Sequence, residues 1–118
     1  MADNSIIFHM CVKNEWQAAV AKGIYEGSSQ DITDGFIHFS TLDQVSESAA
    51  KHRKGQLGLV LLSVKVALLG KSLRWEKSRD GALFPHLYST LPLKAVIRVD
   101  DLELGSKGRH EFPKELAR

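Results

Sequence analysis

Leu57-Gly58-Leu59-Val60-Leu61-Leu62-Ser63-Val64-Lys65 is the stretch that decides the fold of this 118-residue chain. An apolar run of about this length, with almost no alternation between polar and apolar residues, is typical of a strand that is covered on both faces. It is far shorter than the ~20 residues that a membrane helix requires. We therefore predict a strand in the middle of a sheet.

Shorter strand patterns lie on both sides of this central run. They cover residues 5–10, 35–40, 73–76, 84–88 and 93–99. Pro85 keeps the fourth of these segments extended, because the residue before a proline avoids the helical region. Since predicted strands outnumber predicted helices and no strand–helix repeat is visible, the sheet is expected to be mostly antiparallel.

Two helices are predicted in the N-terminal half. The first begins at Asn14 and ends at Gly23, where a helix C-terminal glycine is expected. The second covers residues 42–53, and Thr41 and Gln44 at its start match a capping box. The sequence therefore predicts an α+β fold, in which a small, mostly antiparallel sheet packs against two N-terminal helices.

The length and composition of the chain indicate one globular domain. Hydrophobic residues make up 43% and charged residues 25% of residues 1–118. We expect the core within about residues 5–104 and a polar, loosely held tail at 105–118. The single cysteine, Cys11, has apolar neighbours and is expected to be a small buried side chain.

The charge and the N-terminus indicate a cytoplasmic protein for which nucleic acid is a possible partner but not one that the charge predicts. The net charge is only +2, from 16 basic and 14 acidic residues mixed along the chain, so nucleic acid is not indicated by charge. The start, Met1-Ala2-Asp3-Asn4, has neither a basic region nor an apolar run. We therefore expect no membrane association and a cytoplasmic location.

Two histidines beside aromatic residues are the first candidate functional residues. Alternation along the predicted strand places Phe36, His38 and Ser40 on one face. His86 and Tyr88 share a face if their segment is extended. Each histidine can instead be a core residue whose ring nitrogens are satisfied within the protein. We predict that His38 and His86 face a common pocket.

The segment Trp75-Glu76-Lys77-Ser78-Arg79 is a second candidate. Arginine binds phosphate through two parallel hydrogen bonds, and a carboxylate holds hydroxyl groups or stabilises a developing cation. The cluster therefore suits a ribose or phosphate ligand, although an ordinary surface ion pair has the same composition. We expect Trp75 itself to be buried, because it follows Leu73 in an apolar alternation.

Other ligand signals are weaker. His9, His38 and His86 with Glu76 are chemically reasonable zinc ligands, but no histidine or cysteine pair has metal-ligand spacing, so no metal is expected. The loop Gly27-Ser28-Ser29 can offer backbone N–H groups to a phosphate, yet it matches no phosphate-binding fingerprint.

Several stretches of the chain resemble domain-of-unknown-function family 952. The matching residues are Trp16, Ala19, Gly23-Ile24-Tyr25, Ser28, residues 34–41, Gln44, residues 75–81, residues 84–88 and Leu91-Pro92-Leu93. The resemblance extends to about Pro113. This family has no settled activity and is grouped with ADP-ribosyltransferase-like folds, including the tRNA 2′-phosphotransferases.

The resemblance implies a split sheet with NAD lying in the cleft between its halves. It places His9 at the end of the first strand, where such proteins often have a substrate-facing histidine. It also places His38-Phe39-Ser40 where the phosphotransferase branch carries a His-Leu-Ser sequence. Together with the candidate residues above, the resemblance predicts a site with catalytic residues His38, His86 and Glu76, and substrate-binding residues His9, Ser28, Ser40, Arg79 and Tyr88.

The predicted function is that of a protein acting on NAD or on an ADP-ribosylated or phosphorylated ribose substrate. Cleavage of the bond between nicotinamide and ribose builds positive charge on the sugar, which a carboxylate such as Glu76 stabilises. NAD would then be a substrate. The alternatives are a non-catalytic module that binds a nucleotide or small anion and, with less support, a histidine metal site. Only an enzyme needs a carboxylate in the site.

Overall fold

The computed structural model describes residues 6–78 and 81–113. Its elements, in chain order, are β1 Ile6–Val12, α1 Lys13–Lys22, α2 Ser29–Asp34, β2 Ile37–His38, α3 Leu42–His52, β3 Leu59–Lys65, β4 Leu73–Lys77, β5 Leu83–Leu87, β6 Val96–Leu104 and β7 His110–Glu111. Short 3-10 turns precede β4, β6 and β7. The predicted α+β class is confirmed. Across the described ranges, no helix is long and apolar enough to cross a membrane.

The strands of the described residues form two antiparallel sheets. The larger has the order β1-β3-β6-β7 and the smaller has the order β2-β5-β4. In the larger sheet Leu62 of β3 lies opposite His9 of β1 on one side and Val99 of β6 on the other. Every residue of β3 except Lys65 is buried. The predicted central strand is therefore confirmed, although it begins at Leu59.

Alternation along β3 divides the core in two. Leu62 belongs to a cluster that includes Ile37 and Leu87 of the smaller sheet. Leu61, its neighbour, belongs to a second cluster with Val45 of α3. Because adjacent side chains of a strand point to opposite faces, the smaller sheet covers one face of the larger sheet and α3 covers the other.

The two predicted helices are present. Gly23 ends α1 with φ 91, a left-handed conformation that glycine adopts without steric cost. At the start of α3 the Thr41 N–H donates to Gln44 Oε1 at 3.0 Å, which is the reaching-back half of the capping box. Gln44 also donates to the Leu83 carbonyl at 2.7 Å and so attaches α3 to the smaller sheet.

A third N-terminal helix, α2, replaces part of the predicted loop. Ser28 is its N-cap and forms a capping box with Asp31, whose carboxylate accepts from the Ser28 N–H at 2.7 Å. The expectation of two N-terminal helices is therefore wrong. The turn-forming residues of this segment do not terminate structure but cap a short helix.

The strand predicted at residues 35–40 is shorter than expected. Only Ile37 and His38 pair within the smaller sheet, whereas Ser40 forms a backbone bridge with Phe8 of β1. The chain therefore crosses from one sheet to the other within two residues. This crossing joins the two sheets at the backbone.

The C-terminal part of the chain contributes more structure than predicted. The strand expected at residues 93–99 runs from Val96 to Leu104 as β6, and β7 then pairs with it. His110 of β7 is buried, and its Nε2–H donates to the Gln56 carbonyl at 2.8 Å. The expectation of a loosely held tail is thus wrong for residues 110–111.

Trp75 is not the buried residue that its alternation with Leu73 predicts. Its side chain is 43% exposed. The reason is strand order: β4 is an edge strand of the smaller sheet, so it has a neighbour on one side only. Alternation predicts which face a residue occupies, but it does not predict whether another element covers that face.

We expect Trp75→Ala to lower the free energy of unfolding by about 1 kcal/mol. Loss of a fully buried tryptophan would cost ~3–5 kcal/mol, and the cost is smaller here because Trp75 is partly exposed. Trp16→Ala is the matched control, because Trp16 packs against the core and meets the Tyr25 ring edge-on at 5.8 Å. It should cost clearly more. Urea denaturation measures both variants, and equal losses would contradict the expectation.

Candidate functional site

The smaller sheet has one face in the core and the other toward solvent. Ile37 of β2 lies opposite Leu87 of β5, and both side chains are buried. The next register pair, His38 and His86, therefore points to the outer side. Their ring centroids are 5.6 Å apart. The prediction that the two rings lie on one face is confirmed, whereas the common pocket and the catalytic role of the two histidines stay predictions.

Four more side chains join the two histidines on this outer side. The resulting set, which we call the histidine face, consists of Phe36, His38, Arg74, Glu76, His86 and Tyr88. Phe36 stacks on His86 with centroids 4.1 Å apart and an interplanar angle of 27°. Because Phe36 also lies 5.2 Å from Tyr88, it is the centre of the cluster.

Glu76 is hydrogen-bonded to one side chain of β5 and to one side chain of the loop that follows β5. Its Oε1 accepts a hydrogen bond from the Tyr88 hydroxyl at 2.7 Å and another from His86 Nδ1 at 2.8 Å. These two hydrogen bonds lower the pKa of Glu76, and the bond from Tyr88 has the larger effect. The same carboxylate raises the pKa of Tyr88. Glu76 is therefore an ionised carboxylate that is fixed by two donors.

Asp31 holds His38 from the buried side. Its Oδ1 accepts from His38 Nδ1 at 2.6 Å and from the His38 backbone N–H at 3.1 Å. Burial alone would raise the pKa of Asp31, but the hydrogen bonds from His38 and Ser28 and the nearby His9 outweigh it and hold the pKa at about 2. The interior of the site thus contains an ionised carboxylate.

A second carboxylate faces the other nitrogen of His38. Asp34 Oδ2 lies 3.0 Å from His38 Nε2, and this carboxylate is about one-third exposed. Both ring nitrogens of His38 therefore face carboxylate oxygens.

His9 lies behind the histidine face and not on it. Its Nδ1–H donates to the His38 carbonyl at 2.6 Å, and its Nε2 accepts from the Tyr25 hydroxyl at 2.7 Å. Burial lowers the pKa of His9 and raises that of Tyr25, so both are neutral. The resemblance implied a substrate-facing His9, whereas the structure buries its ring and engages both nitrogens.

Cys11 is buried, as predicted for a small apolar side chain. Burial is the main cause that raises the pKa of its thiol to about 11. At neutral pH the thiol is therefore protonated, and it is a poor nucleophile.

Two serines that were expected to bind substrate form contacts inside the protein. Ser28 uses its N–H and its hydroxyl as donors to Asp31, at 2.7 and 3.0 Å. Ser40 donates its hydroxyl to Ser48 at 3.2 Å. Because both side chains are buried and engaged, neither belongs to the histidine face. Arg79, the expected phosphate contact, lies outside the described residues.

Asp31, Asp34 and Arg74 are the members of the site that the sequence interpretation missed. The Ser-x-x-Asp spacing from Ser28 to Asp31 is a helix-start signature, and it would have brought Asp31 into view. Arg74 shares a strand face with Glu76 by simple alternation, and it lies opposite His86 in the sheet. Its guanidinium lies 5.2 Å from the centre of the Tyr88 ring.

Metal chemistry finds little support in this geometry. Among residues 6–78 and 81–113, no group of three or more His, Cys, Asp and Glu side chains is arranged to hold a metal ion. His38 Nδ1 and His86 Nδ1 are directed at carboxylates as hydrogen-bond donors. A zinc ligand must instead present a nitrogen lone pair to the ion.

An open groove of about 340 Å³ lies elsewhere in the fold. Its lining includes residues 57–59 and 101–104, and an ion pair of 3.3 Å joins Lys13 to Asp101 beside it. The described lining residues include no histidine and no aromatic side chain. The histidine face, where donors, carboxylates and rings converge, is therefore the stronger candidate site.

Comparisons with known proteins agree with this fold. The protein CC0527 from Caulobacter crescentus is 46% identical in its crystal structure, which superposes with a TM-score of 0.91 over 97% of this chain and 100% of that one. Its solution NMR structure gives 48% identity and a TM-score of 0.79 over 88% and 90% of the two chains. None of the curated proteins compared with the chain matches it.

A family model covers most of the chain. It is the model described as a protein of unknown function, DUF952, and it matches residues 10–99. This range contains the whole histidine face and Asp31. The chain therefore belongs to the DUF952 family.

Proposed function

We propose that the protein is an enzyme of the ADP-ribosyltransferase-like kind that acts on NAD or on an ADP-ribosylated or phosphorylated ribose substrate. The observation that carries the proposal is the position of Glu76, whose Oε1 accepts from both His86 and Tyr88 on the face that His38 shares. A binding module needs only donors. An ionised carboxylate fixed among proton-bearing groups is what glycosidic bond cleavage requires.

The charge of the site favours a ligand that carries or develops positive charge. Three carboxylates, those of Asp31, Asp34 and Glu76, lie around the two histidines. Such a surface disfavours a purely anionic ligand, since like charges repel. The nicotinamide ring of NAD is cationic, and its ribose becomes cationic as the bond breaks. Both features match a carboxylate-rich face.

In this proposal an aromatic ring and one arginine bind the other parts of a dinucleotide, namely a base and a phosphate. Tyr88 is 41% exposed and offers a flat surface on which a heteroaromatic ring can stack. Arg74, whose guanidinium lies 5.2 Å from that ring, can hold a phosphate by charge-assisted hydrogen bonds. In this proposal Arg74 takes the phosphate-binding part that the sequence suggested for Arg79.

The roles of the residues follow from their hydrogen bonds. The bond between ribose and nicotinamide breaks, and its electron pair leaves with the nicotinamide nitrogen. Glu76 stabilises the positive charge that develops on the sugar. Because His86 donates from Nδ1 to Glu76, its Nε2 can take the proton of the attacking water or hydroxyl group. That oxygen forms the new bond to the sugar.

Release of nicotinamide from NAD and thermal shifts with NAD, ADP-ribose and AMP test the proposal together. The wild-type protein should cleave NAD, and Glu76→Gln should lower the rate at least tenfold while it retains binding. A nucleotide at a hundredfold excess over its dissociation constant should stabilise the fold by ~2.7 kcal/mol. His52→Ala is the control, because His52 is an exposed residue at the end of α3. His110 is buried and is therefore unsuitable as a control.

Other outcomes separate the alternatives. A thermal shift with nucleotides but no cleavage by the wild-type protein would favour the non-catalytic binding module. A shift with zinc alone that is lost in His38→Ala and His86→Ala would favour the metal site. The absence of both cleavage and nucleotide binding would overturn the proposal.

A further inference from the structure

We propose that Asp31 is the positioning residue of the histidine face, which fixes the His38 ring from the interior with Nδ1–H turned away from solvent. This inference rests on the proposed function only in taking His38 as a catalytic residue of that site, as the sequence predicts. The sequence pattern did not single out Asp31, and its side chain has no contact with any ring of the face other than His38 among the described bonds.

The geometry divides the carboxylate into two halves with different partners. Oδ1 accepts from the His38 backbone N–H at 3.1 Å and from its Nδ1 at 2.6 Å. Oδ2 accepts from the Ser28 N–H at 2.7 Å and from its hydroxyl at 3.0 Å. With side-chain exposure of only 3%, this carboxylate is anchored to the N-cap residue Ser28 by one oxygen and orients His38 with the other.

The groups around His38 come from every neighbouring element. Asp31 and Asp34 of α2 face its two ring nitrogens, His86 of β5 lies 5.6 Å away, and Phe36 lies 4.5 Å away. Behind it, His9 of β1 holds its carbonyl and also lies 3.5 Å from Asp31 Oδ2. Glu76 is hydrogen-bonded to His86, and Arg74 lies opposite His86 in the sheet.

These contacts leave the ring little rotational freedom. The backbone of His38 is held on both sides, by Asp31 at the N–H and by His9 at the carbonyl. The short bond to Nδ1 then fixes the ring torsion and the position of one proton. Nε2, beside the more exposed Asp34, is the nitrogen that a substrate can approach.

A purely structural role for Asp31 must be distinguished from this one, because the same carboxylate completes the α2 capping box. Ser28→Ala separates the two roles, since it removes the hydroxyl from the cap and leaves the bonds between Asp31 and His38. Asp34→Asn is the matched control, as it removes an equal charge from the other ring nitrogen of the same histidine.

The experiment measures the ¹⁵N and ¹H signals of the His38 ring without any ligand, together with kcat and KM for NAD. In the wild-type protein, His38 Nδ1–H should give a downfield proton signal that is protected from exchange. Asp31→Asn should shift the Nδ1 signal and lower kcat about tenfold with little change in KM. Asp34→Asn should change the Nε2 signal and leave Nδ1 as it is.

The results also show which idea fails. A folded Asp31→Asn protein with unchanged His38 signals would overturn the positioning role. So would Ser28→Ala, if it lowered the melting temperature and moved the Nδ1 signal as much as Asp31→Asn. Should Asp31→Asn not fold, the wild-type spectrum decides, because a rapidly exchanging Nδ1–H would contradict the proposal. Failure of the wild-type protein to cleave NAD would count against the proposed function alone.

Discussion

Gly27→Ala is expected to lower the free energy of unfolding by about 3–4 kcal/mol. Gly27 has φ 102, a backbone conformation that costs a residue with a Cβ ~1–3 kcal/mol. An added Cβ would also lie 2.7 Å from Asp31 Cβ and 3.1 Å from Ile37 Cγ1. Such overpacking costs ~1–3 kcal/mol, because the buried Asp31 cannot move without loss of its bonds.

Gly23→Ala is the matched control for this prediction. Gly23 has a similar φ of 91, but nothing lies within 4 Å of the Cβ that alanine would add. Its cost should therefore be the backbone term alone, about 1 kcal/mol. Urea denaturation of both variants gives the difference, which measures how closely the backbone at residue 27 approaches Asp31. Equal losses of stability in the two variants would show that Asp31 moves away from the added Cβ at little cost.

Acid should remove about 2 kcal/mol of stability through Asp31. Its pKa in the folded protein is about 2, below the ordinary value of 3.8. A depressed carboxyl pKa stabilises the fold at pH values above 3.8, and this stability is lost as the pH falls from about 4 through 2. The two pKa values differ by roughly 1.8, which at 1.36 kcal/mol for each pKa unit corresponds to about 2–3 kcal/mol, and most of this is lost by pH 2.

The free energy of unfolding, measured between pH 4.5 and 2, tests this expectation. Asp31→Asn should begin less stable and should decline less steeply than the wild-type protein, since it has no carboxyl to protonate at this position. Parallel curves for Asp31→Asn and the wild-type protein would place the acid-sensitive group elsewhere.

The parts of the fold that were predicted correctly are those that short segments specify. The apolar run of β3 predicts its central position because burial on both faces leaves no room for polar alternation. Gly23 and the pair Thr41 and Gln44 mark helix ends through backbone geometry and local hydrogen bonds. Each of these signals lies within about nine residues of chain.

The errors concern properties that depend on distant segments. Trp75 was expected in the core, but its exposure is decided by the edge position of β4, which no property of residues 73–77 specifies. Helix α2 has only six residues, too few to be stable on propensity alone. It depends on the cap at Ser28 and on the bond from Asp31 to His38, seven residues away.

In the candidate site, too, short segments predicted the local arrangement, whereas contacts between distant segments could not be predicted. Alternation correctly placed His38 beside Phe36, and the extended segment around Pro85 placed His86 near Tyr88. The pairing of β2 with β5 then brought the two groups together, across 48 residues of sequence. Asp31 could not be found through the aromatic neighbours that pointed to the histidines, because it contributes from the buried side.

The crossing of the chain from the smaller to the larger sheet implies an order of folding. The Phe8–Ser40 bridge and the bond from His9 to the His38 carbonyl hold β2 in place. These contacts span about 30 residues, and β1 is itself secured by its pairing with β3, more than 45 residues further along. Closing such long loops is slow compared with forming helices. The histidine face should therefore assemble late, after the larger sheet has formed, and a growing chain would not acquire it until β5 had been synthesised.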